Sequence, residues 1–263
     1  MLKQIRAIIS DMDGVLWRGM QPLPGLHEFF AYMLDKNIGF VLATNNSSKT
    51  QMNYVEKLST LGVNGVQPCH IVTSGTATAS FLKTKYPQGT RVFVVGGAGL
   101  KQILTKAGFT LVEDGAALVV CGIDIDLTYE KLRKATLLIR GGAGFIGTNP
   151  DSSFPSPEGL VPGAGSILAL IEAASGQAPT IIGKPERGMF EAALRQLDAD
   201  PQETLMIGDR IGTDIQGAKP LGIKTALVMT GVEDETSLAE SATRPDFVFQ
   251  GLPELIAALK RGD

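Results

Sequence analysis

The stretch Ala7-Ile8-Ile9-Ser10-Asp11-Met12-Asp13-Gly14 constrains the fold of this chain more than any other. An apolar run ends abruptly in two carboxylates, one residue apart. A short apolar run bounded by a polar turn predicts a buried strand, here about Ile5–Ser10. Open α/β sheets bind ligands in the crevice outside the carboxyl ends of their strands, which is where the two acids fall. Gly14 then frees the backbone to turn. Two acids crowded at one strand tip repel one another, and a hard cation such as Mg²⁺ resolves that repulsion. Taken alone, Asp-x-Asp-Gly reads equally well as a solvated turn.

The rest of the chain repeats the pattern. Gly39–Thr44 predicts a strand ending in Asn45-Asn46, and Thr204–Gly208 one ending in Asp209. Lys224–Val228, Arg91–Val95, Ala117–Cys121 and Gly144–Thr148 predict further strands. Helix-period segments lie between them, at Pro24–Lys36, Lys49–Leu61, Leu100–Ala107, Tyr129–Ile139, Ser166–Ala174 and Pro253–Lys260. Apolar runs alternating with such segments predict an α/β protein with a Rossmann-like parallel-sheet core. The middle of the chain carries an α/β pattern of its own. The expected division is a discontinuous catalytic core, 1–76 and 180–263, with an inserted smaller α/β cap domain at 77–179.

Composition removes several function classes. The 263 residues are 44% apolar and 19% charged, enough for a large core. A net charge of −3 offers no basic face for a nucleic acid polymer. Too few apolar residues lie between Met1 and Asp11 for a signal peptide to be expected there, and no apolar run reaches the ~18 residues of a membrane span. The expectation is a cytoplasmic protein with no membrane partner. Cys69 and Cys121 are expected as buried free thiols, and His27 and His70 as structural residues. Chemistry is therefore left to carboxylates, hydroxyls and lysines. Gly141-Gly142-Ala143-Gly144-Phe145-Ile146-Gly147 mimics a dinucleotide fingerprint, which has to follow a strand and open a helix. Here it follows a helix-period run and precedes Asn149-Pro150-Asp151 and further prolines, which exclude a helix. Gly183-Lys184-Pro185 lacks the remaining parts of a Walker A loop.

Four elements line up in order: Asp11/Asp13, Thr44-Asn45, Lys184, and Gly208-Asp209-Arg210-Ile211-Gly212-Thr213-Asp214. This resembles the four motifs of the haloacid dehalogenase superfamily, and of its phosphatases in particular. Asp13 and Thr44 are 31 positions apart, too close for a large insertion, whereas 138 positions separate Asn46 from Lys184. In that superfamily such spacing denotes a large cap between the second and third motifs. Thr148-Asn149-Pro150-Asp151 and the later Gly159–Gly165 stretch resemble the NagD/p-nitrophenylphosphatase-like subgroup, whose cap is α/β.

The resemblance implies a Mg²⁺-dependent phosphomonoesterase acting on a small phosphorylated metabolite. Asp11 would be the nucleophile and Asp13 the general acid and base. Bringing a carboxylate within about 4 Å of one phosphate charge costs roughly 4 kcal/mol at an effective dielectric of 20, so a cation is needed. Asp11, Asp209 and the Asp13 backbone carbonyl would bind the metal, with Asp214 in support. Thr44 and the Asn45 amide would hold phosphoryl oxygens, and Lys184 would neutralise charge. Asn149 and Asp151 are the candidates for a substrate-facing loop, or else form a self-bonded turn. Arg18 and Arg210 lie close enough in sequence to contact substrate, or else are surface charges. A metal-free dehalogenase is disfavoured by Asp13, Asp209 and Asp214. A phosphotransferase or mutase shares the same intermediate, and a non-catalytic phospho-ligand module is the remaining alternative. Substrate identity stays open, and so does a homo-oligomer.

Overall fold

The computed structural model describes residues 2–156 and 159–262. Along the chain run β1 (Ala7–Ser10), β2 (Trp17–Arg18), β3 (Gln21–Pro22), α1 (Leu26–Asp35), β4 (Gly39–Thr44), α2 (Gln51–Thr60) and β5 (Ile71–Thr73). There follow α3 (Ser74–Lys85), β6 (Arg91–Val95), α4 (Ala98–Lys106), β7 (Thr110–Leu111), β8 (Leu118–Cys121), α5 (Tyr129–Arg140) and β9 (Gly144–Gly147). Next are β10 (Ser153–Ser156), β11 (Gly159–Pro162), α6 (Ala164–Ser175), β12 (Thr180–Ile181) and α7 (Arg187–Leu197). The chain closes with β13 (Thr204–Gly208), the single turn α8 (Gln216–Ala218), β14 (Lys224–Val228), α9 (Glu235–Glu240), β15 (Phe247–Phe249) and α10 (Leu252–Arg261).

These elements form two compact units. One comprises Met1–Thr44, Gln51–Val72 and Phe190–Asp263, and the other Asn45–Thr50 and Thr73–Met189. Both are α/β, as expected.

The first unit holds a six-stranded sheet in the order β15-β14-β13-β1-β4-β5. The β1 strand pairs in parallel with both neighbours, Ser10 standing opposite Ile207 and opposite Leu42. That register decides where the chemistry goes. Asp11, Thr44 and Asp209 each lie one or two residues beyond this row, so the three tips emerge together. The Asp11 N–H donates to the Ile207 carbonyl at 2.8 Å, extending the ladder to the first acid. Ile8, Leu42, Leu58, Ile207 and Leu255 are fully buried in one apolar cluster that fixes the sheet against its helices. Each such side chain stabilises the fold by roughly 1.5–3 kcal/mol.

The second unit has its own parallel sheet, β12-β9-β8-β6-β7. Val95 stands opposite Cys121, Cys121 opposite Gly147, and Gly147 opposite Ile181. Thr148-Asn149 and Ile182-Gly183-Lys184 therefore leave adjacent strand tips. Phe93, Val119, Phe145, Leu168 and Ile171 pack the interior.

Some expectations change. The first strand starts at Ala7 rather than Ile5, because Leu2–Gln4 form a turn closed by the Ile5 N–H on the Leu2 carbonyl. Cys121 is buried as expected, but Cys69 is exposed on a short turn. Burial raises the pKa of the Cys121 thiol and keeps it neutral. The glycine run at 141–147 closes α5, with Gly142 at φ +100°, and opens β9, the reverse of the dinucleotide order. No helix among the described residues is long and apolar enough to cross a membrane.

Candidate active site

In the first unit, Asp11, Asp209 and Asp214 each offer a carboxylate oxygen, all within 4.8 Å of one another. Asp209 and Asp214 are 2% and 1% exposed. Buried acids at this density need paired charge or a metal. Backbone amides hold two of them: Val232 N–H donates to Asp209 Oδ2 at 3.0 Å, and Arg210 N–H to Asp214 Oδ2 at 3.2 Å. Glycine makes the close approach sterically feasible. A Cβ at Gly14 or Gly231 would overlap the Asp209 carboxylate, and one at Gly208 would overlap Asp214. Gly14 also has φ +86°, where a side chain is strained. An oxygen-only donor set of this kind suits Mg²⁺.

Asp13 leaves the same tip but is more open, its side chain 60% exposed. Its Oδ1 accepts from Trp17 Nε1 at 2.8 Å. Lys57 Nζ stands 3.8 Å from the same oxygen and 4.1 Å above the Trp17 ring. At that exposure the ion pair adds little stability, and its effect is on the direction of the carboxylate. Thr44 is 6% exposed at the end of β4. Tyr54 is buried beside Thr44 and the acids, and burial raises its phenol's pKa, so it stays neutral.

In the second unit, Asn45, Asn149, Asp151 and Lys184 come together. Lys184, 3% exposed, follows β12, and its peptide bond to Pro185 is cis. The Asn45 side chain grips the Lys184 backbone from both sides. Its Oδ1 accepts from Lys184 N at 2.8 Å, and its Nδ2 donates to Lys184 O at 2.9 Å. Nδ2 also reaches Asp151 Oδ1 at 3.2 Å. Asn149 Nδ2 donates to the Asn45 carbonyl at 2.7 Å, while its Oδ1 accepts from Asp151 N at 3.1 Å. Gly183 fits only without a side chain, since a Cβ there would overlap the Thr148 carbonyl and Asn45.

A haloacid dehalogenase-like hydrolase model matches residues 8–110, and a second HAD-hydrolase-like model matches 181–255. An acid sugar phosphatase of Staphylococcus aureus is 38% identical over 261 residues, covering 99% of this chain and all of that protein. The chain belongs to the haloacid dehalogenase-like hydrolase family. Within it the chain is a phosphatase. The 4-nitrophenylphosphatase of Thermotoga maritima superposes with TM-score 0.94 at 40% identity, over 98% of both chains. A glycerol phosphate phosphatase of Mycobacterium tuberculosis, in complex with magnesium, superposes with TM-score 0.88 at 30% identity, over 97% of this chain and 77% of that one.

Against this haloacid dehalogenase-like frame, several residues around the site went unread in the sequence. Trp17 and Lys57 flank Asp13, and Ser74 Oγ donates to the Asn45 carbonyl at 2.5 Å. Arg18 spends its guanidinium on the Thr230 carbonyl, from Nε at 3.0 Å and Nη2 at 2.5 Å. His27 bonds the Leu61 carbonyl at 2.9 Å, and the His70 ring packs against Phe40 at 4.6 Å, tilted by 35°, both structural contacts.

Proposed function

We propose that this phosphatase hydrolyses phosphomonoesters of small metabolites, sugar phosphates among them, through an aspartyl-phosphate on Asp11 in the cytoplasm. The observation that carries the reading is the convergence of Asp11, Asp209 and Asp214 at one sheet end, with Asp13 two residues beyond the nucleophile.

Asp11, Asp209 and the Asp13 backbone carbonyl would hold Mg²⁺, with Asp214 in support. When bound, the ion neutralises the repulsion between carboxylate and phosphate. An Asp11 oxygen attacks phosphorus and the ester bond breaks. Asp13 gives its proton to the leaving oxygen, then takes one from the water that cleaves the acyl-phosphate. The Trp17 bond supports that role by fixing one Asp13 oxygen. Thr44 and the Asn45 amide bind phosphoryl oxygens, and Lys184 offsets their charge. The inserted α/β domain at 77–179 acts as the cap that selects the leaving group, with the Asn149–Asp151 turn as its contact loop. The sugar-phosphate class is supported by the acid sugar phosphatase relative.

The test is p-nitrophenyl phosphate turnover with and without Mg²⁺, in the native chain and in Asp11→Asn. Turnover should require the ion and fall by more than about a thousandfold in the variant. Turnover that survives in Asp11→Asn would remove the nucleophile from this account.

A further inference from the structure

We infer that the loop after β14, Met229–Glu233, is the device that aims the Asp209 carboxylate, with Thr230 as its anchor. The inference rests on the reading of Asp11, Asp209 and Asp214 as a Mg²⁺ site.

The loop grips Asp209 directly. Val232 N–H holds Oδ2 at 3.0 Å, and the Gly231 backbone lies so close that a Cβ would overlap the carboxylate. Gly14, on the segment that carries Asp11 and Asp13, closes on the same carboxylate. Asp209 is thus wedged between two backbones, and the loop's position fixes its direction.

Two contacts tie the loop to the first motif. Thr230 Oγ1 donates to the Gly14 carbonyl at 2.7 Å. Arg18 crosses from the β2–β3 hairpin to hold the Thr230 carbonyl with two donors. A third contact ties it to the fourth motif, where Glu233 Oε1 accepts from Ile211 N at 2.9 Å. Thr230 therefore joins the loop, through its hydroxyl and its carbonyl, to the N-terminal segment that carries the first motif, and Glu233 joins it to the fourth. Groups that orient metal ligands from behind typically change metal affinity 10–100-fold when removed. Thr230 and Arg18 are positioning residues in this sense.

The test is Mn²⁺ binding to the full chain, followed by electron paramagnetic resonance, with Mg²⁺ as competitor. Thr230→Val keeps the shape and deletes the hydroxyl, and should weaken binding about tenfold. Thr230→Ser keeps the hydroxyl and should bind near the native level. Arg18→Gln, at an exposed side chain, should weaken binding about threefold and decides the matter if Thr230→Val does not fold. Turnover by Thr230→Val should recover at saturating Mg²⁺. Native-like affinity in both Thr230→Val and Arg18→Gln overturns the inference alone, as does equal weakening by Val and Ser. A native chain that takes up no Mn²⁺ overturns the metal reading and the inference with it.

Discussion

The two sheets solve the same problem with different materials. Each ends in a row of strand tips that must hold a costly charge in a fixed place. At the first sheet the acids Asp209 and Asp214 are held by backbone N–H groups and hemmed in by glycines. At the second, Lys184 is held by its own backbone, which the Asn45 amide clasps through both its donor and its acceptor. Backbone clamps survive most side-chain changes around them. A side-chain clamp fails with one substitution.

That contrast predicts a large effect at Asn45. In Asn45→Ala the Lys184 N–H and carbonyl lose their partner in a buried setting, which costs about 1–3 kcal/mol of stability. A displaced lysine should lower kcat by up to about a hundredfold. Thermal melting and steady-state kinetics together check this. An Asn45→Ala protein with native melting and native kcat would break the contrast.

A smaller effect sharpens it at Asp13, where a side chain also does the holding. Trp17→Phe keeps a smaller aromatic ring in the buried position and deletes the Nε1 donor. The loss of one such bond, about 0.5–1.5 kcal/mol, should slow turnover about three- to tenfold. The slowing should be larger for an alkyl phosphate than for p-nitrophenyl phosphate, because only the poorer leaving group needs the Asp13 proton. Equal slowing with both substrates would remove the orienting role.

What the sequence could show follows the same division. Gly39–Thr44, Arg91–Val95, Thr204–Gly208 and Lys224–Val228 are strands with the bounds their apolar runs predict. They are buried on both faces, so they read as continuous hydrophobic runs. Helix α3 is invisible in that way. It buries Ser74, Gly75, Ala77, Thr78 and Ala79, small residues with no apolar period, and its start is set by Thr73 and Thr76 bonding each other. The acids were legible because strand tips follow apolar runs directly. Thr230-Gly231 carries the same signal, a polar tip after the Lys224–Val228 run, and it is the one feature of the acid end that pattern alone could have added. The clasp of Asn45 on Lys184 could not be read. It joins positions 139 apart through an amide whose type is common in turns. Cys69 reads as buried from its apolar neighbours, yet a turn begun by Pro68 exposes it.

The most direct measurement is capture of the phosphoryl group on the enzyme. Asp13→Asn should still form the intermediate from p-nitrophenyl phosphate, whose leaving group needs no proton, but should hydrolyse it slowly. Acid quench and peptide mass spectrometry should then find one added phosphoryl group on the peptide carrying Asp11. A phosphoryl group on another residue, or full turnover with none captured, would contradict the account.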